Sequence, residues 1–123
     1  ALLRDEILLL QMRGNYSGPR GAITRWDQFR ATIRPLLDKN EAMKELYWEA
    51  NCQLMAAVYE EALLLKSPEA KKKGIERAAS LFIAAERENF GTPTQAAHFK
   101  EYVTSPKRAE LKSVVDQLNR PIK

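Results

Sequence analysis

Leu54-Met55-Ala56-Ala57-Val58-Tyr59 is the stretch that decides the fold. It is apolar at every position, so it leaves no polar face for water. Residues 41–66 around it read as one long helix. A helix apolar all round is buried all round, and this one is expected at the centre of the molecule.

C-terminal to it, three boundaries share one device. Ser67-Pro68, Thr92-Pro93 and Ser105-Pro106 each place a hydroxyl residue before a proline. The hydroxyl caps free amides at a helix start, and proline suits the first turn because its missing donor is not needed there. Helices are therefore expected over 68–89, 93–103 and 106–119. Gly91 is expected to end the first of these, and Gly74 is a weak spot inside it or the place where the true helix begins. N-terminal to the central stretch, Leu3, Ile7, Leu8 and Leu10 recur near helical spacing over 2–12. Gly14 then stands where a C-cap belongs, and 14–21 reads as the most flexible loop of the chain. Ile23, Trp26, Phe29, Ala31 and Ile33 form the stripe of a helix over 22–34, which Pro35 ends or kinks. No segment alternates with period two. The expected class is all-α, with five or six antiparallel helices.

Bulk properties agree. The chain of 123 residues is 45% hydrophobic and 29% charged, with only 5 Gly and 6 Pro. That suits one globular domain over 1–123 and disfavours a turn-rich β-protein. The net charge is +4, with basic and acidic residues interspersed, whereas nucleic-acid binding usually asks for a clustered basic face. A lone cysteine, Cys52, rules out an intrachain disulfide and suits a reducing compartment such as the cytoplasm. No run approaches the roughly 18 apolar residues of a membrane span. The chain opens at Ala1 directly into a helix-like run with no capping residue, which reads as a piece of a longer protein.

Self-similarity then emerges. Leu8, Leu9 and Met12 are followed by Gly14-Asn15-Tyr16, then Ala22, Trp26 and Phe29, then Pro35. Met55, Ala56 and Tyr59 are followed by Ala78, Phe82 and Ala85. In each unit a small residue is followed by a large aromatic four later, on the same helix face. Alanine lets two backbones approach, and the aromatic fills the gap to the next helix. Over residues 1–90 this resembles two tetratricopeptide-repeat helix pairs, with Gly14-Asn15-Tyr16 similar to the family's turn and Pro35 to its closing proline. Phe29 replaces a usual small residue, and the two units lie further apart than the family's period of about 34. The resemblance implies helical hairpins stacked as a fragment of an α-solenoid, with short helices over 91–123 capping its open end. It also implies a groove lined by the first helix of each pair. Carried onto the central helix, that groove side is Gln53, Ala57, Glu60 and Glu61. It lacks the Asn and Lys residues with which the family clamps a peptide carboxylate, and Glu60 and Glu61 favour a basic ligand.

Chemistry-bearing residues are few. His98, the only histidine, has no accompanying nucleophile or carboxylate motif. Cys52 lies within the apolar helix and reads as a buried structural thiol. Glu41, Glu45 and Glu49 share a face but lack the Glu-x-x-His pattern of a di-iron bundle, so they read as solvated charge. No catalytic residue, metal or cofactor is expected. Lys71, Lys72, Lys73 and Arg77 form the densest basic patch. The leading expectation is a scaffold that holds another protein or peptide in a helical groove. Self-association is open to an uncapped stack. The alternative is a nucleic-acid-associated helical module working through Lys71, Lys72, Lys73 and Arg77.

Overall fold

The computed structural model describes residues 2–18, 20–39, 41–88 and 93–119, and among these the chain forms six α-helices and no strand. They are α1 (Leu2–Met12), α2 (Ala22–Ile33), α3 (Glu41–Leu64), α4 (Pro68–Arg87), α5 (Pro93–Thr104) and α6 (Ala109–Leu118).

Each boundary has a local cause. At the end of α1, Gly14 takes φ +77. This lets the Asn15 amide donate to Leu10 O at 2.9 Å and the Gly14 amide to Gln11 O at 3.0 Å, the paired closure of a Schellman turn. The loop that follows is tied to the next helix. The Ala22 amide donates to Asn15 O at 2.7 Å and the Ile23 amide to Tyr16 O at 3.1 Å, so loop carbonyls satisfy the first amides of α2. Arg34 closes α2 as its C-cap, its amide donating to Arg30 O. It also opens a 3-10 turn, Arg34–Leu36, that contains Pro35. Ser67 caps α4 as expected, accepting from the Ala70 amide at 3.3 Å.

Two expectations need correction. Gly74 does not begin α4, which runs through it unbroken. A Cβ added at Gly74 would lie 2.6 Å from the Ala62 Cβ, so the missing side chain lets α3 and α4 approach. The single helix expected over 106–119 is a 3-10 turn, Pro106–Arg108, followed by α6. Ser105 accepts from the Lys107 amide at 3.4 Å, and its carbonyl accepts from the Arg108 amide at 2.9 Å. That three-residue closure tightens the first turn. The Thr92 cap and the Gly91 stop lie outside the described residues.

α3 is the central element. It packs against α2, α4 and α5, while α6 lies on α4. α1 reaches α3 through side chains, with Arg4 ion-paired to Glu49 and Gln11 donating to Glu60 at 3.2 Å. The ascending order of these pairs means that α1 and α3 run in the same direction. Leu54, Met55, Ala57, Val58 and Tyr59 are buried in one core with Ala22, Trp26, Ala78 and Phe82. The small and aromatic positions singled out by spacing therefore face inward. Among the described residues no helix is long and apolar enough to cross a membrane.

Candidate functional site

Two helices define a polar cleft beside this core. On α3, Glu49, Cys52 and Gln53 are spaced to share one face, and on α5 so are His98, Glu101 and Tyr102. The two faces line a cleft of about 620 Å³. α5 is held in place by its other face, where Phe99 and Val103 are buried and the Phe99 ring lies 6.4 Å from that of Phe82. The Ser105-Pro106 turn then folds the chain back and brings Arg108 over the Tyr102 ring, 3.7 Å from its centroid. One Arg108 N–H donates to Tyr102 O at 3.2 Å.

A chain of polar contacts runs inward from the cleft wall. The Tyr102 hydroxyl donates to Glu60 Oε2 at 3.3 Å, and the Tyr16 hydroxyl donates to Glu60 Oε1 at 3.1 Å. Gln11 Nε2 also donates to Glu60, and its Oε1 accepts from Trp26 Nε1 at 3.0 Å. Residues from α1, the first loop and α5 thus converge on one carboxylate of α3, and Trp26 of α2 reaches it only through Gln11. Burial pushes the Tyr16 hydroxyl up to about 12, and the Glu60 charge adds to the shift. Tyr102 is also raised, chiefly by burial and then by Glu60, with Arg108 opposing. Both hydroxyls stay protonated at neutral pH and remain donors to Glu60.

The structure separates the four residues that the sequence placed in one groove. Gln53 lines the cleft. Ala57 has no exposed surface and belongs to the core, because neighbouring helices cover the α3 face on which it lies. Glu60 is engaged by Tyr16, Tyr102 and Gln11, so it does not form an open acidic rim. Glu61 is half-exposed and adds its charge beside Tyr16. These four are not one binding face.

The basic patch lies on the first turns of α4. Lys72, Lys73 and Arg77 are exposed and Lys71 is half-buried. Lys73 pairs with Glu69 at 3.9 Å. Lys71 and Lys72 border a hollow of about 230 Å³ that also contains Ile75 and Glu110, so acidic groups are interleaved with the cations. The helix-face glutamates are likewise dispersed: Glu41 pairs with Lys44 at 3.4 Å and Glu49 with Arg4. Among the described residues no three His, Cys, Asp or Glu side chains group as metal ligands.

Cys52 and His98 line the same cleft, yet the thiol is not an activated nucleophile. Burial pushes it up to about 12, the Glu49 charge adds to this, and Arg108 opposes it. At about pH 8 roughly one thiol in 10⁴ would be ionised, against about one in ten when unfolded. A disulfide reagent should therefore label native Cys52 at least tenfold more slowly than the denatured chain, as measured by release of its chromophore. Comparable rates in both states would show that the thiol is open to solvent.

Sequence reasoning missed Tyr102 and Arg108 as one unit. The helical spacing of His98, Glu101 and Tyr102 was readable, but nothing local indicated that the Ser105-Pro106 turn would stack Arg108 on the ring. Comparison with protein-family models, curated proteins and solved structures finds no match to this chain.

Proposed function

We infer that the chain is a protein–protein interaction scaffold of tetratricopeptide-like helical hairpins, holding a partner segment in the cleft between α3 and α5. The observation that carries this reading is the cleft itself. Its walls come from two helices fixed by the core, and its lining combines the Gln53 amide, the exposed His98 imidazole and the Tyr102–Arg108 stack. Fixed polar groups on rigid elements suit recognition of a peptide with little ordering cost. The parallel run of α1 and α3 and the inward-facing Ala22, Trp26, Ala78 and Phe82 favour the repeat-like arrangement.

The test is fluorescence anisotropy with pools of short labelled peptides. Filling the cleft with Gln53→Trp should weaken binding at least tenfold while leaving the melting temperature within a few degrees. A charge reversal at Lys72 and Arg77 should leave peptide binding unchanged. The nucleic-acid alternative predicts the reverse pattern. Oligonucleotide binding through the four basic residues of the α4 patch would fall with salt at a log–log slope of up to about −3.6, and the Lys72/Arg77 reversal would abolish it. Binding of no peptide pool would overturn the scaffold reading.

A further inference from the structure

We propose that the cleft takes the carboxylate of an Asp or Glu side chain on the partner segment, held by the guanidinium of Arg108. This rests on the scaffold reading above and names the chemistry its partner must carry.

Arg108 is a fixed cation. Its guanidinium lies against the Tyr102 ring at 3.7 Å and one of its N–H groups is spent on Tyr102 O. A guanidinium has five N–H donors and stays charged at any working pH. None of the ion pairs among the described residues involves Arg108. The Tyr102 ring and carbonyl restrict how the fork can turn, so most of the entropy normally lost on forming a two-pronged contact is already spent.

The carboxylates near the cleft cannot play the opposite part, as receptors for a basic side chain. Glu49 is taken by Arg4, and both oxygens of Glu60 accept from Tyr16, Tyr102 and Gln11. Glu101 is exposed at the edge, where a charge contributes little. An incoming cation would also meet Arg108 on the one aromatic face of the wall. The cleft therefore offers an anion a preset guanidinium and offers a cation only the solvent-exposed Glu101 at its edge. A single guanidinium flanked by glutamates matches one negative charge better than the nearly two of a phosphoryl group.

The experiment uses N-acetylated, C-amidated peptide pools with a central Glu, Ala, Lys or phosphoserine, plus an Ala pool with a free C-terminus. The Glu pool should bind wild type at least tenfold tighter than the amidated Ala pool, and the Lys pool more weakly than either. Arg108→Gln should erase the preference, and Arg108→Lys, which keeps the charge without the fork, should retain only part of it. In wild type the Arg108 Nε–H resonance should move saturably with the Glu pool and not with the amidated Ala pool, a readout that needs no variant to fold. Equal affinities, preference for Lys, a phosphoserine pool tighter than Glu, binding carried only by the free chain end, or a motionless Arg108 signal would each overturn the proposal. In each case the scaffold reading would stand if Gln53→Trp still weakened peptide binding. Failure of every pool to bind wild type would instead remove the scaffold reading on which the proposal rests.

Discussion

Replacing Trp26 with alanine should destabilise the domain by about 3–5 kcal/mol, lowering the urea midpoint by about 2 M at a typical slope for this size. Trp26 has no exposed surface, and its ring meets Phe29 edge-on at 5.9 Å. Truncation leaves a cavity between α1, α2 and α3 that the fixed helices cannot collapse. It also strands Gln11 Oε1, which accepts from Trp26 Nε1 and sits on a buried side chain. Trp26→Phe divides the two effects. It keeps most of the packing and loses only the donor, so it should cost about 1–3 kcal/mol. The phenylalanine variant should also disturb the cleft wall, because Gln11 is free to turn away from Glu60 once its oxygen is unpaired. A domain of this kind has about 5–15 kcal/mol in total, so the alanine substitution removes from about a fifth to all of it. A loss below about 0.5 kcal/mol for Trp26→Ala would mean that this face of α2 is not in the core.

The difference between what the sequence revealed and what it hid follows the range of the interactions. The apolar band of α3 could be read because burial on all sides needs only local composition. The Ser67 cap, the Gly14 stop and the Ala22/Trp26 and Ala78/Phe82 stripes were legible for the same reason, since each is a pattern within a few residues. The contacts of Glu60 were hidden because they come from Gln11, Tyr16 and Tyr102, residues 42–49 positions away. Taken by itself, a glutamate three residues from an alanine on a helix looks like a groove rim. Ala57 failed similarly: the helical wheel gave its azimuth correctly, but whether that face meets water or another helix depends on where α1 and α5 dock. Gly74 carried a local signal that pointed the wrong way. Helix propensity marks glycine as a defect, while close approach to Ala62 makes it a requirement. Cleft residues Gln53 and His98 were both noticed, but only tertiary structure could place them on opposite walls of one site.

Gly21 gives the second large effect, and its sign runs against local reasoning. It occupies the N-cap of α2 with φ −78 and ψ 164, an ordinary extended conformation, and makes no side-chain cap. On propensity alone Gly21→Ser should help, since serine is a preferred cap. An added Cβ, however, would meet the Tyr16 carbonyl oxygen at 2.5 Å and press still closer on that of Ser17. The Tyr16 oxygen already caps α2 by accepting the Ile23 amide, and Asn15 O accepts the Ala22 amide beside it. Backbone cannot rotate out of the way as a side chain can, so the loop must lift and both caps stretch. Overpacking of about 1–3 kcal/mol with part of two hydrogen bonds at about 1 kcal/mol each gives about 2–4 kcal/mol for Gly21→Ala or Gly21→Ser. Gly14→Ala is the control: φ +77 makes it strained, but no atom crowds the new Cβ, so it should cost only about 1–2 kcal/mol. The lifted loop also carries Tyr16 away from Glu60. Alkaline titration of the Gly21→Ala variant should therefore show the Tyr16 hydroxyl, otherwise pushed up to about 12, ionising closer to its ordinary range. If Gly21→Ser proves neutral or stabilising in urea titration, the loop carbonyls do not cap α2, and the support they give the Tyr16–Glu60 contact is absent as well.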